Sequence, residues 1–354
     1  MIPNQYASYM KKIHSFIVIL LLSMFIAEIP VIAESQLTTP SPTSTINTHP
    51  PIIINSDGSV SPSTAPIKQT GNSYTLTDSI TGAIEIKRNN TIIDGNGFMV
   101  SGWGNGFGGI DLFLVRNVIL ENFVISNLQS GIRLTYSENC IVINNTVKSG
   151  VSWLQHTAAI YIEAGSSNII AKNNLVNNVN ATYFISTTKN IIVANNIIDS
   201  SGVACLLYDS SNNTFYHNNF VNNRLQVLDI RESNYPFVVP QSINTWDNGS
   251  VGNYWSDYNG ANTNNDGMGD GPYVINANNK DNYPLNSQFN IKSEIVELPT
   301  SIAISTPTPS PPNFGPTSSP TIPEFSLLAL LPLVMVILFV AINFRHRKPA
   351  NLSD

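Results

Sequence analysis

Charge is scarce in this chain: 11% of its 354 residues are Asp, Glu, Lys or Arg, and the net charge is −6. No cationic excess is available to neutralise a phosphate backbone, so a nucleic-acid partner is excluded. Cysteine is scarcer still, with Cys140 and Cys205 the only two. No Asn-Gly turn joins paired strand signals, which disfavours hairpin-built sandwiches and propellers. A Leu-x-x-Leu-x-Leu pattern is also missing, and with it a leucine-rich horseshoe.

Long apolar runs occur at the two ends. Lys11, Lys12 and His14 precede an apolar stretch from Phe16 to Ala27, and Val31-Ile32-Ala33 supplies a small-residue cleavage pattern. Residues 1–33 are therefore expected to be a secretory signal peptide, with an uncleaved anchor as the alternative. Phe325 to Phe344 is long enough to span a bilayer as a helix. Arg345, His346, Arg347 and Lys348 follow, which orients the tail to the cytoplasm. A buried core helix is the competing reading of that run. The predicted location is thus the outer face of the membrane, single-pass. The exterior segment from Glu34 to Ile322 holds 12 Lys and Arg against 20 Asp and Glu.

What the chain has in abundance is Asn, at a fixed period. Asn117, Asn139, Asn168, Asn190 and Asn213 are each followed five residues later by Asn122, Asn144, Asn173, Asn195 and Asn218. Two residues after each opener stands Ile119, Ile141, Ile170, Ile192 or Phe215, and the openers are 22, 29, 22 and 23 residues apart. A degenerate copy starts at Asn90. Ala159, Ala181 and Ala204 lead short apolar strands in a second register, with Gly131 equivalent. Short β-branched segments between Asn, Ser and Gly read as strands and turns. About three strands fill one repeat, so the fold expected is all-β, a right-handed parallel β-helix with coils of about 22 residues. Stacked coils superpose like residues, and the Asn side chains form ladders. Ile141, Ile170 and Ile192 are expected in one interior column, and His217 on the surface in a column with Glu121, Ile143, Lys172 and Ala194. The cysteines fall on different strands as buried free thiols, too far apart for a bridge.

The predicted organisation is a signal peptide (1–33), a disordered Ser/Thr/Pro-rich leader (34–66), the β-helix (67–239) and a closing module (240–290). A Pro/Thr-rich stalk (291–322), a transmembrane anchor or sorting signal (323–348) and a short cytoplasmic tail (349–354) complete it.

Residues from about Ile67 to Leu285 resemble the NosD-like β-helix repeat proteins of cell surfaces and periplasms. The block Asn244 to Leu285, NTWDNGSVGNYWSDYNGANTNNDGMGDGPYVINANNKDNYPL, is similar to the module that closes many such helices, most commonly archaeal ones. Pro323-Glu324-Phe325, the apolar span and the basic residues resemble a PEF-type archaeal sorting signal. That resemblance implies removal of the helix and a replacing lipid. The NosD resemblance also implies a role in copper-site maturation. Copper needs clustered soft or imidazole ligands, whereas the exterior segment keeps His49, His156, His217, Met99 and Met268, none paired at ligand spacing.

Three sets of candidate site residues remain. Asn262, Asn264, Asp266 and Asp270, with Gly267 between, follow the alternating layout of calcium loops, and calcium is the one candidate cofactor. A metal-free Asn/Gly turn is the alternative, and Asp257 or Asp281 is positioned to complete a shell. Arg133, Tyr161 and Tyr183 face outward on adjacent coils beside Glu163, and the 29-residue spacing inserts about seven residues carrying Trp153 and His156. Insertions in solenoids emerge on one face, often the binding one, and tyrosines suit sugar rings. Tyrosines merely covering a sheet are the alternative. Asn89, Asn144, Asn180, Asn212 and Asn248 open glycosylation sequons.

No catalytic residue is assigned. Asp111, Glu163, Asp199, Asp209 and Asp229 occur singly, without the paired carboxylates of a glycosidase. The function expected is non-catalytic recognition of surface glycans or envelope proteins, or envelope construction. A polysaccharide lyase, epimerase or glycosidase is the alternative, followed by copper-site maturation.

Overall fold

The computed structural model describes residues 50–102, 109–148, 158–230 and 241–296. They wind into a parallel β-helix whose three long sheets hold nine, eight and eight strands. One coil contributes Ile132–Thr135 to sheet 1, Ile141–Ile143 to sheet 2 and Thr146–Lys148 to sheet 3. The next coil contributes Ile160–Glu163, Ile169–Ala171 and Asn174–Val176, paired in parallel with the first set. Among the described residues the only helical element is a single 3-10 turn, Ile291–Ser293.

The expected register holds for the Ala column and slips in the Asn columns. Asn145, Asn173, Asn195, Asn218 and Asn253 form one buried ladder, each side-chain amide donating to the next oxygen at 2.9–3.4 Å, down to Asp281. A second ladder links Asn168, Asn190, Asn213 and Asn244. Cys140, not Asn139, sits above Asn168, its backbone N–H donating to the Asn168 oxygen at 2.9 Å. Asn117, Asn122, Asn139 and Asn144 lie one residue earlier, at corners where φ is between +54° and +59°. Asn tolerates that left-handed backbone better than most side chains. The repeat therefore uses Asn for two purposes at adjacent positions, which spacing along the chain does not distinguish. A one-residue slip reverses every side chain. Ile170 and Ile192 are superposed and interior, with Val142 above them, but Ile141 pairs with Ile169 on the outside. The insertion accordingly adds six residues, not seven, because Asn145 and Asn173 are 28 apart. His217 follows Lys172 and Ala194 at the left-handed corner, where Asn122 and Asn144 take the places expected for Glu121 and Ile143. Cys140 and Cys205 are buried and free, as expected.

Order begins earlier than the predicted boundary at residue 67. Ile52–Ile54 joins sheet 1 in parallel with Ile84–Ile86, and Ile52 and Ile54 are buried. Strand alternation turns Ile52 and Ile54 of this Ile-Ile-Ile run inward, which gives this part of the Ser/Thr/Pro-rich stretch an interior face. Antiparallel pairs, Val60–Ser61 with Ile52–Ile54 and Ile67–Thr70 with Ser73–Leu76, lie at the N-terminal end.

At the other end the tripeptides Asn244-Thr245-Trp246 and Asn253-Tyr254-Trp255 repeat the corner pattern of an inward Asn and an interior residue two places on. Trp246 stacks on Phe215 and Trp255 on Phe220, both at 4.3 Å between ring centroids. Tyr273 stacks on the other face of Trp255 at 4.2 Å. The buried Asp281 ends one ladder, accepting from the Asn253 N–H at 2.7 Å and the Trp255 indole at 2.9 Å. A Cβ at residue 252 would collide with this carboxylate, so the position is a glycine.

The outer face of sheet 2 is apolar, with Ile119, Ile141, Ile143, Ala171 and Val193 buried on it. Phe289, Ile291 and Val296 pack against them. Phe289 bonds through its backbone to the Asn219 side chain and stacks on His217 at 4.0 Å. Glu294 accepts from, or donates to, His217 Nδ1 at 2.7 Å. His217, expected at a solvated surface, is instead part-buried under this strap. The predicted stalk thus starts at residue 291 with ordered chain.

Candidate functional site

Sheet 1 carries the polar face. Strand alternation turns Ile132 and Leu134 inward and Arg133 and Thr135 outward. Register stacks Glu85, Asp111, Arg133, Tyr161, Tyr183 and Leu206 in one outer column. Phe113, Thr135, Glu163, Ile185 and Tyr208 form the column beside it. The face changes along the solenoid axis, from charged on the early coils to apolar on the late ones.

Arg133, Tyr161, Tyr183 and Glu163 are brought together as expected. The Arg133 guanidinium lies 5.2 Å over the Tyr161 ring, and Tyr161 meets Tyr183 edge-on at 5.6 Å. The Tyr161 hydroxyl donates to Glu163 at 3.0 Å. Tyr161 is 2% and Tyr183 8% exposed, packed in a cluster with Ala158, Val203 and Leu206, so both rings cover the sheet instead of presenting an open face. Burial, then the neighbouring Glu163 charge, pushes the Tyr161 phenol well above its ordinary value. Trp153 and His156 lie outside the described residues.

Two members of this face were not assigned to it from sequence, where Asp111 was weighed only as a lone carboxylate and Thr135 was not singled out. Asp111 stands opposite Arg133, and burial raises its carboxyl above the ordinary value, opposed by Arg133 and reinforced by Glu85. Its Oδ1 is buried without a hydrogen-bond partner, and so is the hydroxyl of Thr135. Residue type alone did not place them together, since an isolated Asp or Thr in a strand is common.

The 262–270 loop is exposed, and its oxygens face its own backbone. Asn262 and Asn264 both accept from the Asp266 N–H at 3.2 Å, and Asp270 accepts from the Thr263 N–H at 3.1 Å. Asp257 accepts from Gln226 and Tyr273, and Asp281 is buried in the ladder, so neither of the expected extra ligands turns toward the loop. Among the described residues no three His, Cys, Asp or Glu converge as a metal site. The soft donors are equally dispersed. The thiols of Cys140 and Cys205 are raised by burial to about 11 and about 12, Met99 accepts from Ser126, and His217 is held by Glu294. Of the sequon residues, Asn144, Asn212 and Asn248 are exposed; Asn89, also exposed, accepts from the Arg116 N–H, and the part-buried Asn180 from that of Val203. Among the described residues no helix is long and apolar enough to cross a membrane, and the expected span at 325–344 lies outside them.

The family described as "Periplasmic copper-binding protein (NosD)" matches residues 44–260. Among solved structures, that of the periplasmic alginate epimerase AlgG is 14% identical over 47% of this chain and 44% of its own, with a TM-score of 0.36. A variant of the same enzyme matches at 12% identity over 49% and 42%, also at 0.36. The chain thus spans less than half the length of these structures. No curated protein sequence matches it.

Proposed function

The chain belongs to the NosD family, and from that membership and the site geometry we propose an exported, membrane-anchored β-helix that recognises extracellular glycans without catalysis, through the outer face of sheet 1. The observation that carries the reading is the gathering there of carboxylate and guanidinium groups, Asp111, Arg133 and Glu163, on successive coils, with the buried Thr135 hydroxyl beside them. Sugars are recognised by such mixed donors and acceptors, since each hydroxyl both gives and takes a hydrogen bond.

The non-catalytic reading rests on separation and burial. Asp111 and Glu163 are two coils and two residues apart along the backbone, with Arg133 on the coil between them, and Glu85, the carboxylate stacked next to Asp111, is held by Lys87 at 3.1 Å. Tyr161 is shut from solvent and tied to Glu163. The family's copper does not fit the described donors, which are buried, engaged or far apart, so the geometry supports no copper step.

A glycan array probed with the full chain in detergent tests the reading. Specific binding is expected, with Arg133→Ala lowering it at least tenfold, on the order of one lost charged hydrogen bond. A flat array removes the proposal. The tyrosines are unsuitable for this test, because their burial makes Tyr161→Ala and Tyr183→Ala packing mutations.

A further inference from the structure

Resting on that reading of sheet 1, we propose that Asp111 and Thr135 form a subsite for two hydroxyls of one neutral sugar residue. Buried polar atoms lacking a partner are rare in folded proteins and call for an explanation. Among the described residues four are found, Asp111 Oδ1, Thr135 Oγ1, Ser200 Oγ and Asp229 Oδ1. Two of these four fall on neighbouring coils of one face. Thr135 is 6% exposed and faces outward between Phe113 and Glu163 of the flanking strands. Asp111 pairs with Arg133, two residues before Thr135. Diagonal neighbours of this kind sit about 7–8 Å apart at the backbone, within reach of side chains. One ring can therefore present a hydroxyl to each. The first donates to Asp111 Oδ1, which can only accept while ionised, and the second donates to or accepts from Thr135 Oγ1.

The charges choose among ligands. Glu85, Asp111 and Glu163 bear on the face against Arg133 and Lys87, and Lys87 is held by Glu85 at 3.1 Å. Anionic sugars meet a surplus of carboxylates, and a cationic ligand meets Arg133 beside Asp111. A neutral sugar has neither penalty. Phe113, 51% exposed, stands two residues from Asp111 and opposite Thr135, packed edge-on against Tyr136, and gives the ligand an apolar ring edge beside the two polar atoms.

Calorimetry on the full chain in detergent, with neutral hexose oligomers and uronate oligomers as separate probes, tests the subsite. A neutral oligomer is expected to bind, and Asp111→Asn and Thr135→Val each to weaken it at least tenfold. The melting temperature of the ligand-free Thr135→Val chain should hold or rise, because valine removes an unmet hydroxyl; a purely structural threonine would lower it. Thr135→Ser should keep the wild-type affinity, which covers the case in which the valine variant folds poorly. Neutral binding untouched by Asp111→Asn and Thr135→Val, or a preference for uronate, overturns the subsite and leaves the recognition face standing. Failure of both probes and of the array overturns the two together.

Discussion

At the residue scale, asparagine organises this molecule in two ways that look identical in sequence. Its inward copies carry hydrogen bonds from coil to coil, and its corner copies relieve backbone that would cost most side chains about 1–2 kcal/mol. Lys172, Ala194 and His217 occupy the same left-handed corners without that advantage. Counting Asn showed the period but not which of two neighbours points inward, because composition does not record φ. Asp281 closes one ladder with a carboxylate, and burial raises it from 3.8 to about 6. A raised acid binds its proton more tightly in the folded state. Its stabilisation is therefore complete below about 3.8 and lost as pH rises through about 6. The loss is on the order of 3 kcal/mol. Asp281→Asn should remove that slope between pH 4 and 7 in denaturant unfolding. It should keep an oxygen beneath Asn253 and Trp255. An unchanged slope would show that the carboxyl is not the group responsible.

At the element scale, the informative departures are the strap and the sheet it covers. An outward column of isoleucines, Ile92, Ile119, Ile141, Ile169 and Ile191, is out of place on a solvated solenoid. The strap at 286–296 explains part of it by laying Phe289, Ile291 and Val296 on this face. His217 and Glu294 fasten it. Phe289→Ala should cost about 1–3 kcal/mol, below a full core truncation because the ring is only partly buried. It should also increase binding of a hydrophobic dye; equal dye binding by both proteins would mean that the strap shields nothing. None of this was legible in the sequence. A sequence pattern identifies which positions are apolar, while the partner of an outward apolar face is set by where a distant segment returns.

At the scale of the whole molecule, the proposal places the solenoid outside the cell on a C-terminal anchor. Deleting residues 325–348 should release the protein into the medium or periplasm, read by fractionation. Retention in the membrane fraction would place the anchor elsewhere. The sequence by itself determined the solenoid, its coil length, the buried free thiols and the partnership of Arg133, Tyr161, Tyr183 and Glu163. These follow from periodicity, which local strand preference and stacking translate directly into geometry. Only the tertiary structure decided that the tyrosines are buried, that Asp111 and Thr135 have unmet polar atoms, and that Asp281 ends a ladder. Burial and hydrogen-bond satisfaction depend on neighbours about a coil or more away along the chain, and no local pattern encodes them.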